Sequence, residues 1–176
     1  SKVSARRIVF AEGEDERVLR AAHAMMEETN DIPILIGRPE VVEMRCERAG
    51  LPIRPGTDIH LVNPENDPRY RDYWGTYHEL MARRGVTPDI ARAVMRTNTT
   101  AIGAIMVHRE EADSLICGTF GQFNWHLGYV RQILARGGLH HRETRRQNGL
   151  SVRCAGPYGP TRHPVGDACS SSRPKF

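Results

Sequence analysis

The chain has 176 residues, 39% of them hydrophobic, and a formal net charge of +4, which is enough for one domain with its own core. No apolar run approaches the roughly 20 residues that span a bilayer, and the short basic start at 1–7, with no apolar stretch behind it, does not read as a secretory signal. Nor does the charge mark a nucleic-acid-binding fold, which shows a basic face interleaved with aromatic or groove-reading residues: residues 139–176 hold seven basic and two acidic side chains, leaving the other 138 with 18 basic against 19 acidic.

Because the first residue is Ser1, the numbering is expected to begin inside a longer chain or after processing. The cysteines Cys46, Cys117, Cys154 and Cys169 show no Cys-x-x-Cys spacing and read as cytosolic thiols. Cys117 could act as a nucleophile at a crevice, although a buried cysteine more often behaves as a small hydrophobe.

Arg7-Ile8-Val9-Phe10-Ala11 is a compact apolar run ending in Glu12-Gly13-Glu14-Asp15-Glu16. This predicts a strand, a glycine turn and a helix whose acidic start suits the helix dipole. Glu12 and Glu14 read as solvated helix-start charges rather than as a catalytic pair. Val18, Leu19, Ala22, Met25 and Met26 then mark one helix face. Residues 31–37 predict a second strand, and Pro39 to Ala49 a short helix stopped by Gly50. Strand, helix, strand, helix means a parallel sheet with right-handed crossovers.

Residues 59–64 predict a third strand. Asp67-Pro68 offers an N-cap and an N1 proline for a helix to Arg84 that carries Tyr70, Tyr73, Trp74, Tyr77, Leu80 and Met81, a face suited to a core or an interface. Thr87-Pro88-Asp89 opens the next helix in the same way. The polar insert Arg96-Thr97-Asn98-Thr99-Thr100 interrupts an apolar face that resumes at Ala101. Two readings stand for it: a helix break facing a crevice, where Arg96, hydroxyls and an amide suit a phosphate, or an exposed interhelical turn.

The stretch from Glu111 to Leu134 organises the chain. An apolar run, Ser114 to Cys117, predicts a strand, Gly118-Thr119-Phe120-Gly121 a bent loop, and Phe123, Leu127, Val130 and Leu134 a helix spanning 121–136. A crevice beyond the carboxyl ends of parallel strands, faced by a helix N-terminus, collects ligands and favours anions. After Gly137-Gly138 the periodicity stops. Residues 139–176, rich in Arg, Gly, Pro and Ser, predict a basic tail of low order, and so abrupt a loss of pattern is what a frame change at the gene end would produce.

Four motifs carry a resemblance: Ile8 to Ala22 (IVFAEGEDERVLRAA), Asn63 to Tyr77 (NPENDPRYRDYWGTY), Arg84 to Ala91 (RGVTPDIA) and Ala112 to Gly121 (ADSLICGTFG). Together they resemble the N-terminal half of a phosphotransacetylase domain, in the form fused behind the catalytic domains of bacterial NADP-dependent malic enzymes. The resemblance implies an α/β fold of parallel βαβ units, the N-terminal part of a two-lobed structure with an acyl-CoA cleft, over residues 6–138. It implies acetyl-CoA as a ligand and malic-enzyme catalytic domains in the same parent chain. NADP and a divalent metal would serve that parent, with no cofactor or metal held here. A homo-oligomer in the cytoplasm is expected, without nucleic acid or membrane as partner.

Two departures from the acetyltransferase pattern stand out. That pattern carries an arginine where this chain has Met81 after His78-Glu79-Leu80, and a thioether cannot pair with phosphate. It also carries a Ser/Thr-rich loop and Leu-Arg-Pro, where this chain has Gln122-Phe123-Asn124 and Leu127-Gly128-Tyr129. The family's catalytic Ser and Asp belong to the C-terminal half, so no catalytic residue is carried over. The expected acetyl-CoA contacts are Gly118, Thr119, Phe120, Gly121, Gln122 and Asn124, with Arg96, Thr97, Asn98 and Thr99. The function expected is a regulatory domain of a malic enzyme. An active phosphate acetyltransferase and a structural oligomerisation module are the alternatives.

Overall fold

The computed structural model describes residues 5–137, 151–156 and 159–160. A sheet in the order β3-β2-β1-β4-β5-β6 runs through it. Its strands are β1 (Arg7–Phe10), β2 (Ile32–Ile36), β3 (His60–Val62), β4 (Ser114–Cys117), β5 (Ser151–Gly156) and β6 (Gly159–Pro160). The first five are parallel, with Val9 opposite both Ile34 and Leu115, and only β6 runs antiparallel. The helices are α1 (Glu16–Glu28), α2 (Pro39–Ala49), α3 (Tyr70–Met81), α4 (Pro88–Thr97), α5 (Thr99–His108) and α6 (Phe123–Gly137). Among the described residues no helix is long and apolar enough to cross a membrane.

Side chains alternate across a strand, so each strand feeds two cores. Phe10 and Leu35 pack with Val18, Leu19 and Ala22 of α1 and Val42 and Cys46 of α2. Val9, Ala11, Ile34, Ile36, Val62, Leu115 and Cys117 point the other way, into a larger cluster with Tyr73, Tyr77, Met95, Ile102, Ile105 and Ile133. The result is three layers, with helices on both faces of a parallel sheet, as the strand and helix pattern requires. Cys117 is fully buried in the larger core, away from the role of a crevice nucleophile, and burial pushes the Cys46 thiol up.

Several helix ends follow their residues closely. Thr87 accepts from the Ile90 N–H at 3.3 Å, Gly50 closes α2 with φ of 66°, and Gly85, at φ 83°, closes the 3-10 turn Ala82–Arg84 in which the expected helix to Arg84 ends. Elsewhere the chain departs from expectation. Asp67 does not cap α3: its Oδ1 takes the Arg69 N–H at 2.8 Å and its carbonyl the Tyr70 N–H at 3.0 Å. That turn delays the helix to Tyr70. On α6 the expected Val130 and Leu134 are buried, joined by His126 and Ile133, whereas Phe123 and Leu127 are only partly so. Of the stretch expected to be of low order, 139–176, the described parts 151–156 and 159–160 are strands. The ladder groups of β4 give the alternating Ser151-Val152-Arg153-Cys154 segment a partner, so pairing overrides composition there. The rest of that expectation lies outside the described residues.

The aromatic helix α3 is used within the chain. Tyr73 and Tyr77 are buried. Arg92 lies over the Trp74 ring at 4.5 Å and Arg96 over Tyr70 at 4.0 Å, so these arginines hold α4 against α3.

Candidate functional site

Strand order reverses between β1 and β4: the chain goes from β1 outward through β2 to β3, then returns to place β4 on the other side of β1. In open parallel sheets the crevice at such a reversal, beyond the carboxyl ends of the strands, is where ligands sit. Here that crevice is built from the turn after β1, the loop after β4 and the break between α4 and α5.

The turn after β1 carries Glu12, which is only 5% exposed. Its placement follows from the ladder: the Ala11 N–H still bonds to Ile116 at 2.9 Å, and the Gly13 N–H bonds to the Ile36 carbonyl at 3.0 Å, pinning Glu12 between two strands. Its Oε1 accepts the Gly118 N–H at 2.9 Å. Burial pushes this carboxyl up, while the Gly118 N–H, the nearby His126 and the Thr119 N–H pull the other way. Glu12 is therefore not the solvated charge its sequence context suggests. Glu14 does behave as a surface group: Arg38 binds it through Nε at 2.9 Å and holds its carboxyl below the usual range.

The loop after β4 bends at Gly118 and Gly121, with φ of 93° and 86°, conformations that favour glycine. Arg17 of α1 donates to the Thr119 carbonyl at 2.8 Å. His126, one turn into α6, meets the Phe120 carbonyl through Nε2 at 2.7 Å and the Thr100 hydroxyl through Nδ1 at 2.8 Å. Its Nδ1 also lies 3.8 Å from Glu12 Oε1. The break between α4 and α5 is Asn98, which ends α4 and caps α5 by accepting the Ala101 N–H at 3.0 Å. Among the described residues the buried polar side chains are Glu12, Asn98, Thr100 and His126, and all four belong to this one place. Three buried polar atoms there have no hydrogen-bond partner: Glu12 Oε2, Asn98 Nδ2 and Thr119 Oγ1. Buried polar groups are nearly always satisfied, so three orphans on three converging segments make this crevice the candidate site.

The expected contacts divide accordingly. Gly118, Thr119, Phe120, Gly121 and Gln122 form the loop, Asn124 is exposed on the first turn of α6, and Asn98 and Thr99 flank them across the His126 bridge. Arg96 and Thr97 are not brought in. Arg96 is stacked on Tyr70 and donates to the Glu65 carbonyl, and the Thr97 hydroxyl returns to the Ala93 carbonyl of its own helix at 2.9 Å. Sequence reasoning missed His126, took Glu12 for a solvated charge, and held Thr100 in the polar insert but not among the expected contacts. The available signal for His126 was its place on the apolar face, four residues before Val130 and seven before Ile133. Among the described residues no group of three or more His, Cys, Asp or Glu is arranged to hold a metal ion.

Comparison with known proteins agrees with this architecture. Residues 1–139 match the family described as phosphate acetyl/butaryl transferase. The chain is 57% identical to the NAD-dependent malic enzyme of Rhizobium meliloti over 74% of its own length and 17% of that protein. It is 47% identical to the NADP-dependent malic enzyme of Salmonella typhimurium over 77% of its length and 18% of that protein. The chain thus spans less than a fifth of the length of these relatives. The structure of a phosphotransacetylase from Streptococcus pyogenes superposes with a TM-score of 0.65 at 27% identity, covering 73% of this chain and 38% of that one. Fold and sequence agree, and the chain belongs to the phosphate acetyl/butaryl transferase family.

Proposed function

We propose that this module binds acetyl-coenzyme A in the crevice between β1 and β4 as a regulatory ligand of a longer, malic-enzyme-type chain. The observation that carries the reading is the group of three unpartnered buried atoms, Glu12 Oε2, Asn98 Nδ2 and Thr119 Oγ1, on three segments at the strand-order reversal. Gly118 to Gln122 and Asn124 would meet the ligand from the loop and the first turn of α6, whose leading N–H groups have no intrahelical acceptors. Asn98 and Thr99 would meet it from α5. Arg96 and Thr97 would join only by leaving their present partners.

Identity to the malic enzymes, 57% and 47%, exceeds the 33% shared with a phosphate acetyltransferase, which favours the regulatory form. In the parent chain the catalytic domains would decarboxylate malate oxidatively with a nicotinamide cofactor, NADP or NAD, and a divalent metal. Coupling requires acetyl-CoA to bind one domain arrangement better than another. A cytoplasmic homo-oligomer belongs to the same reading. Direct acetyl transfer to phosphate is disfavoured by Met81, which is 1% exposed in the core where the acetyltransferase pattern carries an arginine.

The test is thermal unfolding of the 176-residue chain with and without acetyl-CoA, alongside an acetyl phosphate assay. At a hundredfold excess over its dissociation constant the ligand adds about 2.7 kcal/mol of stability. A shift without turnover supports the regulatory reading, turnover replaces it with the acetyltransferase, and a transition that ignores the ligand overturns both.

A further inference from the structure

His126 touches each of the three segments that build the crevice. A carbonyl oxygen only accepts, so the 2.7 Å contact to Phe120 puts a proton on Nε2. In the neutral ring Nδ1 is then free to receive the Thr100 hydroxyl at 2.8 Å. The ring is wedged as well as bonded. The Trp125 ring stands nearly perpendicular to it with centroids 4.9 Å apart, and a Cβ on Gly121 would lie 3.1 Å from Nε2. One unpartnered polar atom sits on each joined segment: Glu12 after β1, Asn98 at the start of α5, Thr119 in the loop.

We propose that His126 is the positioning residue of this crevice, its Nε2–H holding the Phe120 carbonyl and its Nδ1 the Thr100 hydroxyl so that the loop and the start of α5 face the ligand as one unit. The inference rests on the reading of the crevice as an acetyl-CoA site, and it deepens that reading by naming the group that sets the site's shape. The ring itself touches no ligand in this role. It acts through the Phe120 carbonyl, and through that loop on the Gly118 N–H that Glu12 receives.

The test compares His126→Gln, His126→Leu and Thr100→Val in the full chain. Glutamine keeps an N–H for the Phe120 carbonyl, leucine keeps only bulk, and valine at 100 removes the Nδ1 partner without changing shape. Three readouts are used: the protonated ring nitrogen by 15N NMR of labelled histidine, exchange of the Gly118 amide in the free protein, and the dissociation constant for acetyl-CoA. The wild-type ring should carry its proton on Nε2. His126→Leu should speed Gly118 exchange and weaken acetyl-CoA about tenfold each, the scale of one buried hydrogen bond, Thr100→Val should do so by a smaller factor, and His126→Gln should restore most of both. A proton on Nδ1 alone, or glutamine no better than leucine at equal melting temperature, overturns the proposal. Should His126→Leu fail to fold, Thr100→Val decides, and unchanged Gly118 exchange in it overturns the proposal. Should acetyl-CoA fail to bind the wild type, the functional reading falls while the nitrogen and amide readouts still judge the role of His126.

Discussion

The Tyr73 hydroxyl donates to Glu111 Oε2 at 2.7 Å, joining the first turn of α3 to the turn that leads into β4. Glu111 also receives Arg69 Nη1 at 3.0 Å and Arg109 Nε at 2.7 Å. Burial alone would push its carboxyl up, but the hydrogen bonds from Arg109 and Tyr73 and the charges of Arg69 and Arg109 outweigh it and hold the carboxyl below its usual range. Burial, then the bond to Glu111, pushes the Tyr73 phenol far up.

Tyr73→Phe should therefore cost about 1.5–3 kcal/mol at pH 7, the worth of a hydrogen bond to a charged group. The pH dependence has a definite sign. A phenol raised in the folded state contributes stability fully below the ordinary tyrosine value of about 10, and that contribution is lost as pH rises above it. The wild type should lose stability from pH 10 upward more steeply than the phenylalanine variant. Urea unfolding at both pH values measures the difference.

Glu12→Gln should act in the opposite sense at neutral pH. The folded state favours the protonated Glu12 carboxyl, so its contribution is present below the ordinary value of about 4.3 and is lost as pH rises through the folded value. The neutral amide avoids that loss. The variant should melt higher than wild type at pH 8, by about 2–4 °C for each kcal/mol recovered, with the gain vanishing toward pH 4. Acetyl-CoA affinity should fall in the same variant, because the unpartnered oxygen becomes a donor. Melting curves across pH check the first part, and titration of the ligand the second.

Gly13 and Gly75 should answer alanine in opposite directions. A Cβ at Gly13 would stand 2.8 Å from the Ile36 carbonyl oxygen and 2.9 Å from the Ile36 nitrogen, whereas at Gly75, inside α3, it would meet nothing within 4 Å. Gly13→Ala must push the turn carrying Glu12 off the β2 backbone, at about 1–3 kcal/mol. Gly75→Ala should stabilise by about 0.5–1 kcal/mol through helix propensity. Paired denaturant curves separate the two.

Glu110, at φ 62°, is the non-glycine residue in left-handed backbone among those described. It follows α5 at the position where helices commonly end in glycine. Glu110→Gly should raise stability by about 0.5–1 kcal/mol by removing the Cβ clash, seen as a higher urea midpoint at unchanged slope.

The strands β1, β2 and β4 were legible because they are covered on both faces and so read as continuous apolar runs, and α2 and α4 because Pro39, Gly50 and Thr87-Pro88 punctuate them. The crevice was half legible. Glycines at 118 and 121 and the polar break at Asn98 signal it locally, and the structure brings them together. Glu12 was not legible, since an acidic residue before a helix looks the same solvated or buried, and its burial is decided by Gly118, 106 residues away. Arg96 and Thr97 show the converse. Their chemistry suits phosphate, but Tyr70, Glu65 and Ala93 had already claimed it. The extended form of 151–156 owes its origin to the edge of β4 rather than to its own composition.

The central place of β1 has a consequence in time. Its partner on one side, β2, follows within a short helix, but its partner on the other, β4, lies about 100 residues later in the chain. At synthesis rates of about 5–20 residues per second, one edge of β1 waits roughly 5–20 s on the ribosome before its ladder can close. During that interval Val9 and Phe10 belong to a half-sheet, which leaves that edge of β1 open to chaperone capture or mispairing.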